Sequence, residues 1–336
     1  MNFRRLLLLG LAATLIAAGA ISLAVLRRGG PAAGTEVEVV IESGATLDGI
    51  AARLDDSGLI GSPLAFSLLA RVKGAAAELK AGRYRIVAGV GYGEILDMLR
   101  RGAVVTVPLT IPEGLTLREV APRIAGFTGD ADSTVLAILR EPSWVERLGL
   151  PGPTLEGYIL PETYRFSEGT GIETIIQEMA TRYQAFWGET ERALADSLGL
   201  TEREVVTLAS IVEEEARLAE ERPVIAGVYL NRLEIGMLLQ ADPTVQYALG
   251  EPQERLLFRH IDEVADNPYN TYTNAGLPPG PIASPGIASL RATLRPAEHS
   301  FLFFVARPDG SHEFTRTNRE HVNATNRIRR GQPNRP

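Results

Sequence analysis

The chain has 336 residues, 45% of them hydrophobic and 22% charged, with a formal net charge of -7 and no cysteine. That length and apolar content suffice for two or three domains with cores of their own, which sets aside a wholly disordered chain. An acidic balance with no concentrated basic face argues against a nucleic-acid partner, and the missing cysteines remove disulfides, thiolate catalysis and thiolate-bound zinc. None of the four histidines (His260, His299, His312, His321) forms an HExxH or HxH pair, so no metal and no other cofactor is expected.

In chain order, residues 1–5 form a short tail carrying Arg4 and Arg5, and Leu6 to Leu26 is an uncharged run rich in Leu, Ala and Ile. At 1.5 Å per residue this run is about 32 Å long, enough to cross a bilayer core. The apolar part of a cleaved signal peptide is only about 7–15 residues, so a retained transmembrane helix is the expectation. Arg27 and Arg28 balance Arg4 and Arg5, and the positive-inside rule barely discriminates. The shortness of the tail favours a cytoplasmic N-terminus, with everything after the helix outside the cytoplasmic membrane. Residues 27–35, with GGPAAG at 29–34, read as a linker.

A folded module is expected over residues 36–102. Val37, Val39 and Ile41 alternate with acids at the period of a half-exposed strand, and a helix from about Leu47 to Asp55 follows, with Gly58 as its stop. Ser62 and Pro63 open a second helix to about Lys73, Tyr84 to Val87 form a second strand, and a helix from about Tyr92 to Arg101 stops at Gly102. Residues 103–150 read as a second, smaller strand-helix connecting module, with a strand from Val104 to Ile111 and a helix from Thr116 to about Ile124. Residues 151–336 hold most of the Pro, Gly and Asn clusters and form the larger, helix-rich region where chemistry is expected. The whole reads as an α+β chain.

The clearest local signal is Leu200-Thr201-Glu202-Arg203-Glu204-Val205, a capping box with Thr201 as N-cap and Glu204 three residues on. The helix it opens is expected to run to about Glu221, because Pro223 disfavours helical geometry before it. An apolar face runs through Leu208, Ile211, Val212, Leu218 and Ala219, and Glu215 falls inside it, whereas Glu214 follows Ser210 and Thr207 on a polar strip. A carboxylate on a buried face is desolvated, which raises its pKa toward the range a general acid needs. The plainer alternative is that Glu213, Glu214 and Glu215 are a solvated acidic run.

The segment Leu208 to Glu213 with Glu215 resembles the ASIVEKE signature of the MltG or YceG-like family of endolytic murein transglycosylases. Further blocks resemble the same family: LEGYILPETY (155–164), VYLNRLEIGMLLQADPTVQYALG (228–250), YNTYTNAGLPPGPIASPG (269–286), FLFFVARPDGSHEFTRTNREH (301–321) and LKAGRYRI (79–86). The resemblance implies a single-pass membrane protein with a LysM-like module, fitting residues 36–102, before a catalytic domain at 151–336. It implies cleavage of the MurNAc–GlcNAc bond within peptidoglycan strands, without water and leaving a 1,6-anhydro-MurNAc end. It also implies a role in cell wall synthesis and remodelling beside peptidoglycan synthases. The family's catalytic glutamate falls on Glu215. Two departures stand out: the family's PDTY aspartate is Glu162 here with Leu160 before the proline, and Glu214 replaces the lysine between the two signature glutamates.

In that mechanism one residue is acid and then base, so a second carboxylate is not required, although Glu156, Glu162 and Asp242 are candidates for one. Asp242 before Pro243 is equally an N-cap. Tyr158 and Tyr164 either stack on sugar rings or belong to the core. Glu213, Gln240, Thr244, Asn270 and Tyr272 lie in matched blocks with groups suited to sugar hydroxyls, while Asn270 would equally stabilise its own turn. Arg232 is read as a surface arginine paired with an acid such as Glu234, or else as a support for a carboxylate. Two rival functions are a lysozyme-type hydrolase using Glu215 with Asp242 or Glu156, and a non-catalytic glycan-binding scaffold. A serine hydrolase is disfavoured, since no GxSxG elbow occurs.

Overall fold

The computed structural model describes residues 33–251 and 253–331. The expected tail and membrane helix (1–26), and the linker up to residue 32, lie outside the described residues. Among the described residues no helix is long and apolar enough to cross a membrane. The chain is a mixed, helix-rich α+β protein with small two-stranded sheets, and it divides into two compact units. The first comprises the described residues up to Val107 together with Arg165–Gly169, and the second comprises Pro108–Tyr164 and the chain from Thr170 onward.

The first unit has the expected strand-helix-helix-strand order: β1 (Glu36–Ile41), α1 (Leu47–Asp56), α2 (Pro63–Val72) and β2 (Gly82–Val87), followed by α3 (Tyr92–Arg101). The two strands pair antiparallel, with Val39 opposite Tyr84. Their inward faces close on Leu54, Phe66, Tyr92 and Leu96, all buried. Caps fall where the sequence places them: Thr46 Oγ1 accepts from the Gly49 N–H, Ser62 Oγ from the Ala65 N–H, and Gly102 ends α3 in the left-handed region at φ 70°.

β3 (Thr106–Ile111) and β4 (Glu162–Ser167), which pair, each have residues in both units; in the second, α4 (Leu117–Thr128), α5 (Asp132–Arg140) and α6 (Pro142–Leu148) follow β3. Two helices, α7 (Ile172–Phe186) and α8 (Glu189–Ser197), precede α9 (Glu202–Glu215), which is followed by α10 (Arg222–Glu234), α11 (Asp242–Leu249), α12 (Phe258–Glu263) and α13 (Ile287–Leu294). A hairpin of β5 (Phe303–Ala306) and β6 (His312–Thr315) and a last helix, α14 (Asn318–Arg329), end the described chain.

The centre of this unit is α9. Its capping box forms as expected, with Glu204 Oε2 accepting from the Thr201 N–H at 2.8 Å. Every residue from Val205 to Val212 is buried, Thr207 and Ser210 included, so the strip containing Thr207 and Ser210 does not face water. Thr207 Oγ1 donates to the Arg203 carbonyl and Ser210 Oγ to that of Thr207, which satisfies both hydroxyls inside the helix. The helix also ends earlier than the proline suggested. Ala216 turns extended at ψ 111°, a short 3-10 turn spans Ala219–Glu221, and Pro223 lies in the first turn of α10, where its missing N–H is harmless. Leu218 and Ala219 are therefore off the helix, and Glu215 is its final residue.

One tight approach fixes the segment beside the site. Gly157 has φ 82°, and a Cβ there would lie 2.4 Å from Pro281 Cβ. Gly157→Ala should lower stability by more than about 2 kcal/mol, through both backbone strain and overpacking. Urea unfolding followed by circular dichroism measures this, and an unchanged midpoint would contradict the packing of 156–158 against Pro281.

Candidate active site

The end of α9 opens into a cleft of about 670 Å³ within the second unit, lined by Glu214 and Glu215, the start of α4, Glu156, the face of α11 and Ile282–Ala283. Glu215 is half-buried at its wall. The fully buried Tyr229 of α10 donates its phenol O–H to Glu215 Oε1 at 2.8 Å. Burial is the main force on Glu215 and pushes its pKa up to about 7. The Tyr229 bond and Arg232 oppose this, while Asp242 and Glu214 add to it. A carboxyl that holds its proton near neutrality, inside a cleft, is equipped to donate it.

The three consecutive glutamates have three different environments. Glu213 has a side chain only 6% exposed, pairs with Arg222 at 3.0 Å and accepts from the Gly286 N–H at 2.9 Å, so it ties α9 to α10 and to the start of α13. It does not line the cleft. Glu214 is exposed within the cleft and lies against the backbone of Gly114; desolvation, then repulsion from Glu213 and Glu119, raises its pKa to about 7.

Glu156 is buried and lines the cleft, accepting from the Leu117 N–H at 3.0 Å and from the Tyr247 phenol at 3.3 Å. Burial raises its pKa to about 7 in spite of these bonds and of Arg140. Asp242 lines the cleft as the first residue of α11. The N-cap is Ala241, and no side chain caps the helix. The Asp242 carboxylate instead accepts the Tyr272 phenol at 2.5 Å.

The other sequence candidates serve the framework. Tyr158 lies edge-on to Tyr183 with 1% of its surface exposed, and buried Tyr164 donates to the Leu160 carbonyl, so both belong to the core. Glu162 is exposed on β4, 4.0 Å from Arg182 and outside the cleft. Gln240 is exposed in a left-handed conformation, φ 49°, with its N–H on the Thr271 carbonyl. Thr244 and Asn270 are fully buried. Thr244 Oγ1 bonds the Ala241 carbonyl and lies 2.9 Å from Thr271 Oγ1, and Asn270 Nδ2 donates to the carbonyls of Ile261 and Val264. Arg232 is not the surface residue expected: it is 7% exposed and donates to the carbonyls of Leu302, at 2.6 Å, and Leu239, with no carboxylate within salt-bridge distance among the described residues.

Sequence reasoning missed Tyr229, Tyr247 and the Arg222 brace. Tyr229 reaches Glu215 from a separate helix 14 positions away, and no periodicity within either helix signals that contact. Among the described residues no cluster of His, Asp and Glu is arranged to hold a metal ion.

A half-buried carboxyl with raised proton affinity, in a cleft lined by further acids and the Tyr247 phenol, has the features of a general-acid site. The YceG-like family model matches residues 39–327, and the chain belongs to that family. It is 35% identical to the endolytic murein transglycosylase of Bacillus subtilis, over 86% of this chain and 84% of that protein. It is 32% identical to the endolytic murein transglycosylase of Streptococcus pneumoniae serotype 2, over 80% of this chain but 54% of that protein, so it spans about half of the pneumococcal relative. A crystal structure of a YceG-like protein from Listeria monocytogenes superimposes with a TM-score of 0.60 at 32% identity, covering 86% of this chain and 98% of that one.

The raised proton affinity of Glu215 has a stability consequence. Below the ordinary carboxylate range both folded and unfolded chains are protonated there, and no penalty exists. As pH rises toward 7 the unfolded chain ionises first, and the fold loses stability. Glu215→Gln should therefore gain stability over wild type between about pH 5 and pH 8, on the order of 2 kcal/mol. Thermal unfolding of both proteins at the two pH values checks this, and a gap independent of pH would contradict the desolvated carboxyl.

Proposed function

We propose that this chain is an endolytic lytic transglycosylase that cleaves the β-1,4 bond between MurNAc and GlcNAc inside peptidoglycan strands. The observation that carries the reading is Glu215, kept protonated up to about pH 7 by burial in a cleft, in a chain whose relatives from two genera are named endolytic murein transglycosylases. Protonated Glu215 donates to the glycosidic oxygen as the C1–O bond breaks, and the sugar acquires oxocarbenium character. The resulting carboxylate takes the proton of the sugar's own C6 hydroxyl as that oxygen attacks C1. The ring closes to the 1,6-anhydro end, no water enters, and Glu215 regains its proton.

The same reading places the enzyme at the cytoplasmic membrane, with its catalytic unit outside and residues 6–26 as a single anchor. Support comes from the uncharged length of that segment. Residues 36–102 serve as a LysM-like glycan-contacting module, supported by their strand-helix-helix-strand order and antiparallel pair. An endolytic cut in strands being made fits work alongside peptidoglycan synthases.

Digestion of purified peptidoglycan followed by mass spectrometry tests the reaction. Wild type should yield fragments one water lighter than hydrolysis products, and Glu215→Gln should lose at least about 10³-fold in rate while still binding strands. The wild-type rate should fall about tenfold per pH unit above about pH 7, as the acid form is lost. Full-weight fragments would indicate a hydrolase, and undiminished cleavage by Glu215→Gln would remove Glu215 from the chemistry.

A further inference from the structure

Several acids share the cleft with Glu215, and two of them are engaged by the framework. Glu119 accepts from the Thr116 N–H and hydroxyl at the head of α4, and Glu156 accepts from the Leu117 N–H and from Tyr247. Asp242 differs. Placed at the first position of α11, it caps nothing, and its bonded partner is a phenol, Tyr272, at 2.5 Å.

The loop that carries Tyr272 is tied down at several points. The Tyr272 N–H donates to Asn270 Oδ1 at 3.0 Å, and fully buried Asn270 is itself fixed by two carbonyls. The same loop is tied to the start of α11, because Thr271 Oγ1 accepts from the Ala241 N–H at 3.0 Å. Asp242 is thus clamped at the cleft wall, close enough to Glu215 to oppose its ionisation. For folding alone, an amide at 242 would serve as well and would remove that repulsion.

We propose that Asp242 is a further catalytic residue, a fixed anion facing the positive charge that develops on the sugar, with Tyr272 as its positioning residue. The inference rests on the transglycosylase reading. In the step, the Glu215 proton passes to the glycosidic oxygen, and that oxygen keeps the electron pair of the broken C1–O bond. Positive charge is left shared between C1 and the ring oxygen. Asp242 faces this charge without forming a bond, the C6 oxygen then bonds C1, its proton returns to Glu215, and Asp242 leaves the cycle unchanged. An anion already fixed in place stabilises such charge without reorganising at the moment of reaction.

Other charged or titratable groups about this pair are Glu214 from α9, Tyr229 and Arg232 from α10. Glu119, Glu156, Arg118, Arg140 and Glu251 stand elsewhere around the cleft. None of these is altered in the variants that follow.

The test compares full-length wild type, Asp242→Asn and Tyr272→Phe on purified glycan strands across pH. Asp242→Asn should lose about 10²- to 10³-fold in kcat with KM within about threefold. Its alkaline limb should move to lower pH, because the charge that opposes ionisation of Glu215 is gone. Tyr272→Phe should lose about tenfold in kcat, with thermal unfolding close to wild type. A kcat within about threefold of wild type for a folded Asp242→Asn overturns the proposal. Should that variant fail to fold, Tyr272→Phe with wild-type kcat and an unmoved pH limb overturns it equally. Glu215→Gln separates the two levels: if it stays active the transglycosylase reading itself fails, whereas if it is dead and Asp242→Asn is fully active, only the role of Asp242 is lost.

Discussion

The site depends on the desolvation of one carboxyl, and that desolvation follows from how α9 is buried. A helix enclosed on all sides through Val205–Val212 carries its last residues to the wall of a cleft, where Glu215 stays half-buried. Glu215 is then surrounded by a phenol, other carboxyls and apolar wall, and ionisation becomes harder than for a free acid. Glu213, one turn face away, supplies the complementary effect. Engaged by Arg222 and by the Gly286 N–H, it ties the end of α9 to the segments that follow it.

Phenols recur as the partners of these acids: Tyr229 on Glu215, Tyr247 on Glu156 and Tyr272 on Asp242. A neutral donor orients a carboxylate without cancelling its charge, whereas an arginine would hold it ionised and end its use as an acid. The end of α9 also carries the other kind of partner, since Glu213 is paired with Arg222.

Local grammar was legible in the sequence and long-range assembly was not. A Ser-Pro helix start, glycine stops and strand alternation gave the elements of the first unit within a residue or two, because those signals act over a few positions. The apolar stripe pointed to Glu215 even though two of its five members, Leu218 and Ala219, lie beyond the end of the helix. Pro223 misled because proline is tolerated in a first turn as readily as it ends a preceding helix. The core positions of Tyr158 and Tyr164 and the burial of Arg232 depend on contacts with distant segments, to which periodicity is blind.

Arg232 gives the cleft a fixed electrical background. Its guanidinium is anchored to two main-chain carbonyls and has no acid of its own, yet it is near enough to act on Glu215 and on Tyr272. In the proposed reaction the negative charge left on Glu215 is therefore attracted to a cation that is already in place. In that proposed cycle Asp242 keeps its own negative charge, so the cation offsets one of two neighbouring negative charges.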